Sequence, residues 1–131
     1  MNKQTMIKTL SGYRGKTHQY GKYCCNLMFL EVYEPEMYEI IKGRYTTAIG
    51  GARVARKEFG YSSIEQFIES SDNYEEIPPE FASLGDVFVS GSHVSMCLGY
   101  KTFGMTNDVY TLIDTKHFLN KTAYRNVTCL T

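Results

Sequence analysis

The chain has 131 residues, 43% of them hydrophobic, which suits one compact domain with a single core and leaves no room for a second. Lys plus Arg and Asp plus Glu both number 14, so the zero formal charge creates no global field toward nucleic acid or anionic lipid, and no nucleic-acid partner is expected. No apolar run approaches the roughly 20 residues of a membrane span, and Met1 to Leu10 lacks the continuous apolar core of a signal peptide, so the expectation is a chain made in the cytoplasm with no membrane-spanning segment.

Asn2 to Leu10 reads as a short amphipathic helix with Met6, Ile7 and Leu10 on one side, and residues 1–19 read as a leading arm closed by the breaker-rich link Ser11-Gly12-Tyr13-Arg14-Gly15-Lys16. His18 reads as an exposed loop histidine. From Cys24 to Tyr33 the residues are apolar almost all round, as expected of a central buried helix. Cys25 stands at its mouth, where unpaired N–H groups and the positive end of the helix favour thiolate over thiol, so this is a place for a nucleophile. The plainer reading is that a free cysteine simply fills core volume.

Glu34-Pro35-Glu36 interrupts that helix, and a second runs from Glu36 to Ile41 with Gly43 as its stop. Thr46 or Thr47 caps a helix from Ala48 to Phe59, weakened or allowed close packing by Gly50 and Gly51. Ser62 or Ser63 caps a further helix carrying Ile64, Phe67 and Ile68. Arg44, between two of these helices, is expected to tie loop carbonyls or a nearby carboxylate such as Glu31.

The second half changes character. Tyr74 to Ile77, Val87 to Val89, Val94 to Leu98 and Val109 to Ile113 are short β-prone runs divided by Pro78-Pro79, Gly85-Asp86 and Thr106-Asn107-Asp108, with Asp86 as a turn former. Helices in residues 20–73 followed by strands in 74–131 read as an α+β fold, N-terminal helices packed on a C-terminal antiparallel meander. Residues 116–131 carry no clear element.

Of the four cysteines, Cys24 and Cys25 are vicinal, Cys97 lies in a strand and Cys129 in the tail, a spacing that fits neither a disulfide framework nor a CxxC knuckle. Reduced thiols are expected. Cys24, Cys25, His93 and Cys97 can be drawn around zinc, but adjacent ligands sit poorly about one tetrahedral ion, so neither metal nor other cofactor is expected. His93 opens an alternating run that turns His93, Ser95 and Cys97 to one face and Val94, Met96 and Leu98 to the other. A helix-borne Cys25 with a strand-borne His93 is a cysteine-hydrolase pattern, in which Tyr20 or Tyr23 lends a hydroxyl.

The ordered motifs Tyr20-Gly21-Lys22-Tyr23-Cys24-Cys25, Gly43-Arg44-Tyr45-Thr46-Thr47-Ala48-Ile49-Gly50, Gly85-Asp86-Val87-Phe88-Val89 and His93-Val94-Ser95-Met96-Cys97-Leu98-Gly99 resemble the NlpC-type cysteine peptidases of the papain-like superfamily. They resemble most closely a small NlpC-like domain family of tailed phages and prophages. The resemblance implies Cys25 as nucleophile and His93 as general base in an amidase or endopeptidase of peptidoglycan peptides. Cys24 stands where that family has Asp, and Ser95 where it has Gly. The place of the residue that orients the histidine falls around Phe103-Gly104-Met105, with Asn107 and Asp108 just beyond. These departures fit a second expectation, a structural or adaptor part of a phage particle in the tail or head-to-tail region, partnered by other phage structural proteins. Either way the resemblance implies a protein made in the host cytoplasm and associated with the virion.

Overall fold

The computed structural model describes residues 2–128. Asn2 caps the first helix, α1 (Lys3–Tyr13), its Oδ1 accepting from the Thr5 amide at 2.8 Å. Met6, Leu10 and Tyr13, spaced four and three residues apart, form the buried face, whereas Ile7, expected on that face, is 48% exposed. The helix runs on through Tyr13 because that ring is wanted in the core, where it meets Tyr23 and Tyr110 edge-on. Met6, Leu10 and Tyr13 thus tie this leading helix to the core, while most of its other residues are exposed.

The central helix, α2 (Cys25–Tyr33), buries Cys25, Leu27, Met28, Phe29, Leu30 and Val32. Each large apolar side chain so buried contributes about 1.5–3 kcal/mol, so this helix anchors the core. Pro35 starts α3 (Pro35–Ile41) at the one turn where its missing N–H costs nothing. Thr47 caps α4 (Ala48–Phe59), its hydroxyl accepting from the Gly50 amide at 3.0 Å, and Ser63 caps α5 (Ile64–Ser70) in the same way through Gln66. Arg44 donates to the Ile40 carbonyl and to Glu58, each at 3.2 Å. Glu31, the carboxylate suggested for it, accepts instead from the Tyr13 hydroxyl at 3.1 Å.

Six strands follow: β1 (Tyr74–Ile77), β2 (Val87–Ser90), β3 (His93–Cys97), β4 (Lys101–Thr106), β5 (Val109–Asp114) and β6 (Thr122–Asn126). They form one antiparallel sheet in the order β1-β6-β2-β3-β4-β5, which makes the fold α+β. Only β2 to β5 form a meander. The unassigned tail supplies β6, which returns to lie between β1 and β2, and its backbone is satisfied on both edges by strands distant in sequence. With Ala123 and Tyr124 its only fully buried residues, β6 has almost no local signal.

The sheet has two covered faces. Val94, Met96, Phe103 and Tyr110 join the helices in the main core, while Phe88, Cys97 and Ala123 form a smaller cluster under Phe118. Asp86, buried before β2, accepts from the Ser83 amide at 2.9 Å and from Arg125 at 2.8 and 3.1 Å, which ties the turn to β6. The free edge of β5 is covered by the segment after α1: Thr17 bridges Val109, and the His18 amide donates to the Asp108 carbonyl at 2.6 Å. Among the described residues no helix is long and apolar enough to cross a membrane. Cys129 lies outside the described residues.

Candidate functional site

Cys24 and Cys25 are neighbours in sequence but not in role. Cys24 is the N-cap of α2, with extended backbone, and its Sγ lies 3.0 Å from the Tyr45 hydroxyl. Cys25 is the first helical residue, and its Sγ accepts from the Val94 amide at 3.4 Å, with the Ser92 carbonyl 3.6 Å away. The β3–β4 ladder pairs Met96 with Phe103 and Cys97 with Thr102, while nearer the His93 end the Val94 amide is given to the sulfur. At the helix start the backbone amides of Cys25 and Asn26 also favour the charged form of this sulfur, beside the Val94 amide that donates to it.

A cavity of about 210 Å³ opens beside this sulfur, and Cys25, His93, Tyr20, His18, Cys24 and Tyr45 all line it. Cys25 on α2 and His93 at the head of β3 thus border one cavity. His93, exposed at the start of β3, also borders a second cavity of about 360 Å³ together with Asn107 and Asp108. Those two residues form the two-residue turn between β4 and β5, with φ of 52° and 64°, the left-handed pair that a type I′ hairpin requires and that Asn and Asp tolerate. Asn107 therefore stands on a wall that His93 shares.

Tyr20 and Tyr23 part company. Tyr20 lines the cavity, 40% exposed, with its ring edge-on to His18 at 4.4 Å. Tyr23 packs on Tyr13, and its carbonyl accepts from the Tyr110 hydroxyl at 3.0 Å, so it supports the fold behind the site. Cys97 lies across the sheet from Cys24 and Cys25, so the four residues drawn around zinc are not brought together. Among the described residues no group of three or more His, Cys, Asp or Glu is placed to hold a metal ion.

Against known families, the profile of a domain of unknown function (DUF6950) matches residues 2–125. The chain belongs to the DUF6950 family. No curated protein matches it. The match takes in α1, the Cys25 site and β6 as far as Arg125.

Two residues of the site were not legible in advance. His18 looked like an exposed loop residue, yet pairing of its segment with β5 pins it, half-buried, on the cavity of Cys25. Tyr45 stands in the Gly43-Arg44-Tyr45 motif, but the motif by itself does not say that its ring meets Cys24. A Cβ on Gly51 would come within 2.9 Å of the Tyr45 ring, so that glycine exists to let the ring lie against α4 and reach Cys24.

In the resting DUF6950 domain burial favours the Cys25 thiol over the thiolate expected at the helix mouth. Burial pushes the Cys25 thiol up from 9.0 to about 11, and the neighbouring Cys24 adds to the rise, while the three backbone amides pull it back only in part. Desolvation wins because Cys25 is buried, 6% exposed as a residue, and an anion there would lose its water. A thiol whose folded value is raised binds its proton more tightly when folded, so its contribution to stability is fully present below pH 9 and is lost as pH rises through about 11. Taking about 1.4 kcal/mol per pH unit, the loss is on the order of 3 kcal/mol. Urea unfolding of wild type and Cys25→Ser at pH 8 and pH 10.5 should therefore show a steeper alkaline decline in the wild type.

Proposed function

We propose that this domain is a phage-borne, NlpC-like cysteine amidase or endopeptidase of papain-like type that cuts peptide amides of peptidoglycan as the phage enters its host. The observation that carries this reading is the cavity that Cys25 and His93 both border, with the Val94 amide donating to the sulfur. In the reaction His93 takes the thiol proton as Sγ attacks the amide carbonyl, and the amides at the start of α2 hold the developing oxyanion. His93 then returns the proton to the leaving amine, and water releases the acyl group from Cys25. Because burial favours the neutral thiol, proton transfer accompanies attack. Asn107 is the group assigned to orient the imidazole, on the wall that the two residues share.

The test is incubation of the purified protein with soluble muropeptides and with cross-linked sacculi, followed by mass spectrometry for newly freed amino groups. Site-specific release supports the reading. Absence of any cleavage from both substrates overturns it in favour of the second reading, a structural or adaptor part of the phage particle with hydrolysis lost. One observation favours that alternative: the Cys25 thiol is buried and held protonated, as in a cysteine that fills core volume.

A further inference from the structure

The sheet is split beside Cys25. On one side β3 pairs with β2 as far as Ser90–His93, and on the other β4 pairs with β5 as far as Thr106–Val109, but β3 and β4 pair with each other only at Met96–Phe103 and Cys97–Thr102. Continued in the same register, that ladder would set Val94 opposite Met105 and His93 opposite Thr106. A cavity of about 360 Å³ lies there instead, lined by His93, Val94 and Ser95 of β3 and by Gly104 and Met105 of β4.

The alternation of an antiparallel ladder decides which backbone groups turn to this split. The Leu98 amide donates to the Lys101 carbonyl at 2.8 Å, so Lys101, Phe103 and Met105 turn their N–H and C=O groups toward β3. The Cys97 amide donates to the Asp86 carbonyl at 2.8 Å, so Cys97 faces β2, and its alternates Met96 and Val94 turn theirs toward β4. At Val94 the N–H goes to Cys25 Sγ, which takes the place that a continued ladder would give to the Met105 carbonyl. No residue of β3 pairs with Met105. A water molecule takes about 30 Å³ of liquid volume, so the split is far wider than one bridging water requires. Met105 and His93 line the cleft beside Cys25 as well, so the two spaces share a wall.

We infer that the split is a binding site for an extended peptide, one residue of which pairs its N–H and C=O with the carbonyl and amide of Met105 as a strand added to β4. This rests on the hydrolase reading and deepens it, because a peptide so paired lies beside the Cys25 sulfur. Main-chain recognition suits the lining, where Asp108, Lys121 and His93 together give no single sign of charge. The site reads an extended backbone, and it excludes proline or an N-methylated residue at the paired position, since neither has an N–H to donate.

The test uses isotope-labelled protein, acetyl-trialanine amide and the singly N-methylated forms of that peptide, followed by NMR. In the free protein the Met105 amide should exchange with solvent far faster than the Phe103 amide, which the ladder holds. Adding the peptide should shift the Met105 resonance and slow its exchange. One of the N-methylated forms should bind about tenfold more weakly than the others, the usual loss when a backbone partner is left unpaired. Met105→Pro, which removes the amide, should weaken the parent peptide to a similar extent; if that variant fails to fold, the N-methyl series decides. Equal protection of Met105 and Phe103 in the free protein, equal affinity for all N-methylated forms, binding that leaves Met105 unshifted, or no binding would each overturn the strand site. Binding at Met105 by a protein that cleaves no muropeptide would leave the strand site standing and remove only the hydrolase reading.

Discussion

Cys25→Ala should abolish muropeptide cleavage, a loss of at least ~10³-fold in kcat, whereas Cys24→Ala should cost no more than about tenfold. The asymmetry follows from what each sulfur touches. Cys25 Sγ faces the Val94 amide and the cavity that His93 lines, while Cys24 Sγ lies against the Tyr45 hydroxyl. Removing Cys24 frees Tyr45 from one partner but leaves the nucleophile, its amides and its imidazole in place. His93→Gln should lower kcat by about 10²–10⁴-fold, the usual contribution of a positioned base, with folding unchanged because the side chain is exposed. Without substrate, alkylation of Cys25 by iodoacetamide should be slow at pH 8 and rise toward pH 11, following a thiol held neutral by burial. A variant series in which Cys24→Ala eliminates cleavage and Cys25→Ala does not would reverse the assignment.

Gly21→Ala should lower Tm by roughly 10 °C and loosen the site with it. Gly21 has φ of +80°, a conformation that costs an L-residue about 1–2 kcal/mol, and its added Cβ would lie 2.1 Å from the Tyr45 carbonyl oxygen. The backbone has to move, at a further cost of about 1–3 kcal/mol by analogy with overpacked cores. The movement has a direction: the Gly43 amide donates to the Gly21 carbonyl at 2.8 Å, so the strand of chain carrying Tyr45 would be pushed from the turn that precedes Cys24. Gly43→Ala is the control, since it has φ of +74° with nothing within 4 Å and should show the conformational cost alone. Thermal unfolding of both variants, with cleavage measured well below the lower Tm, separates the two effects. Equal Tm values would mean that the approach of Tyr45 to Gly21 is not maintained in solution.

These two glycines illustrate how far local sequence reaches. The caps at Thr47 and Ser63, the proline start of α3, the glycine stop of α4 at Gly60 and the Asn107-Asp108 turn are all written in a few adjacent residues, because each depends on the chemistry of one side chain or one dihedral angle. The all-apolar run of α2 likewise announces a buried helix, and burial of nearly every residue in it follows. Arg44 was legible as a residue that ties carbonyl and carboxylate, but its carboxylate, Glu58, lies on α4 and depends on how α3 and α4 pack.

The sequence by itself determined the α+β order of elements, Cys25 as the first residue of the central helix, and His93 at the head of a strand whose alternate residues face opposite sides of the sheet. Tertiary structure alone decided the rest. Strand β6 joins the sheet between β1 and β2 because long-range pairing supplies its hydrogen bonds, which no local pattern encodes. His18 reaches the cavity because its segment covers the edge of β5, and Tyr45 reaches Cys24 because Gly21 and Gly51 leave room for it. The ionisation of Cys25 is decided at the same level: the amides at the helix mouth are local, but the burial that outweighs them comes from the packing of α2 against β3.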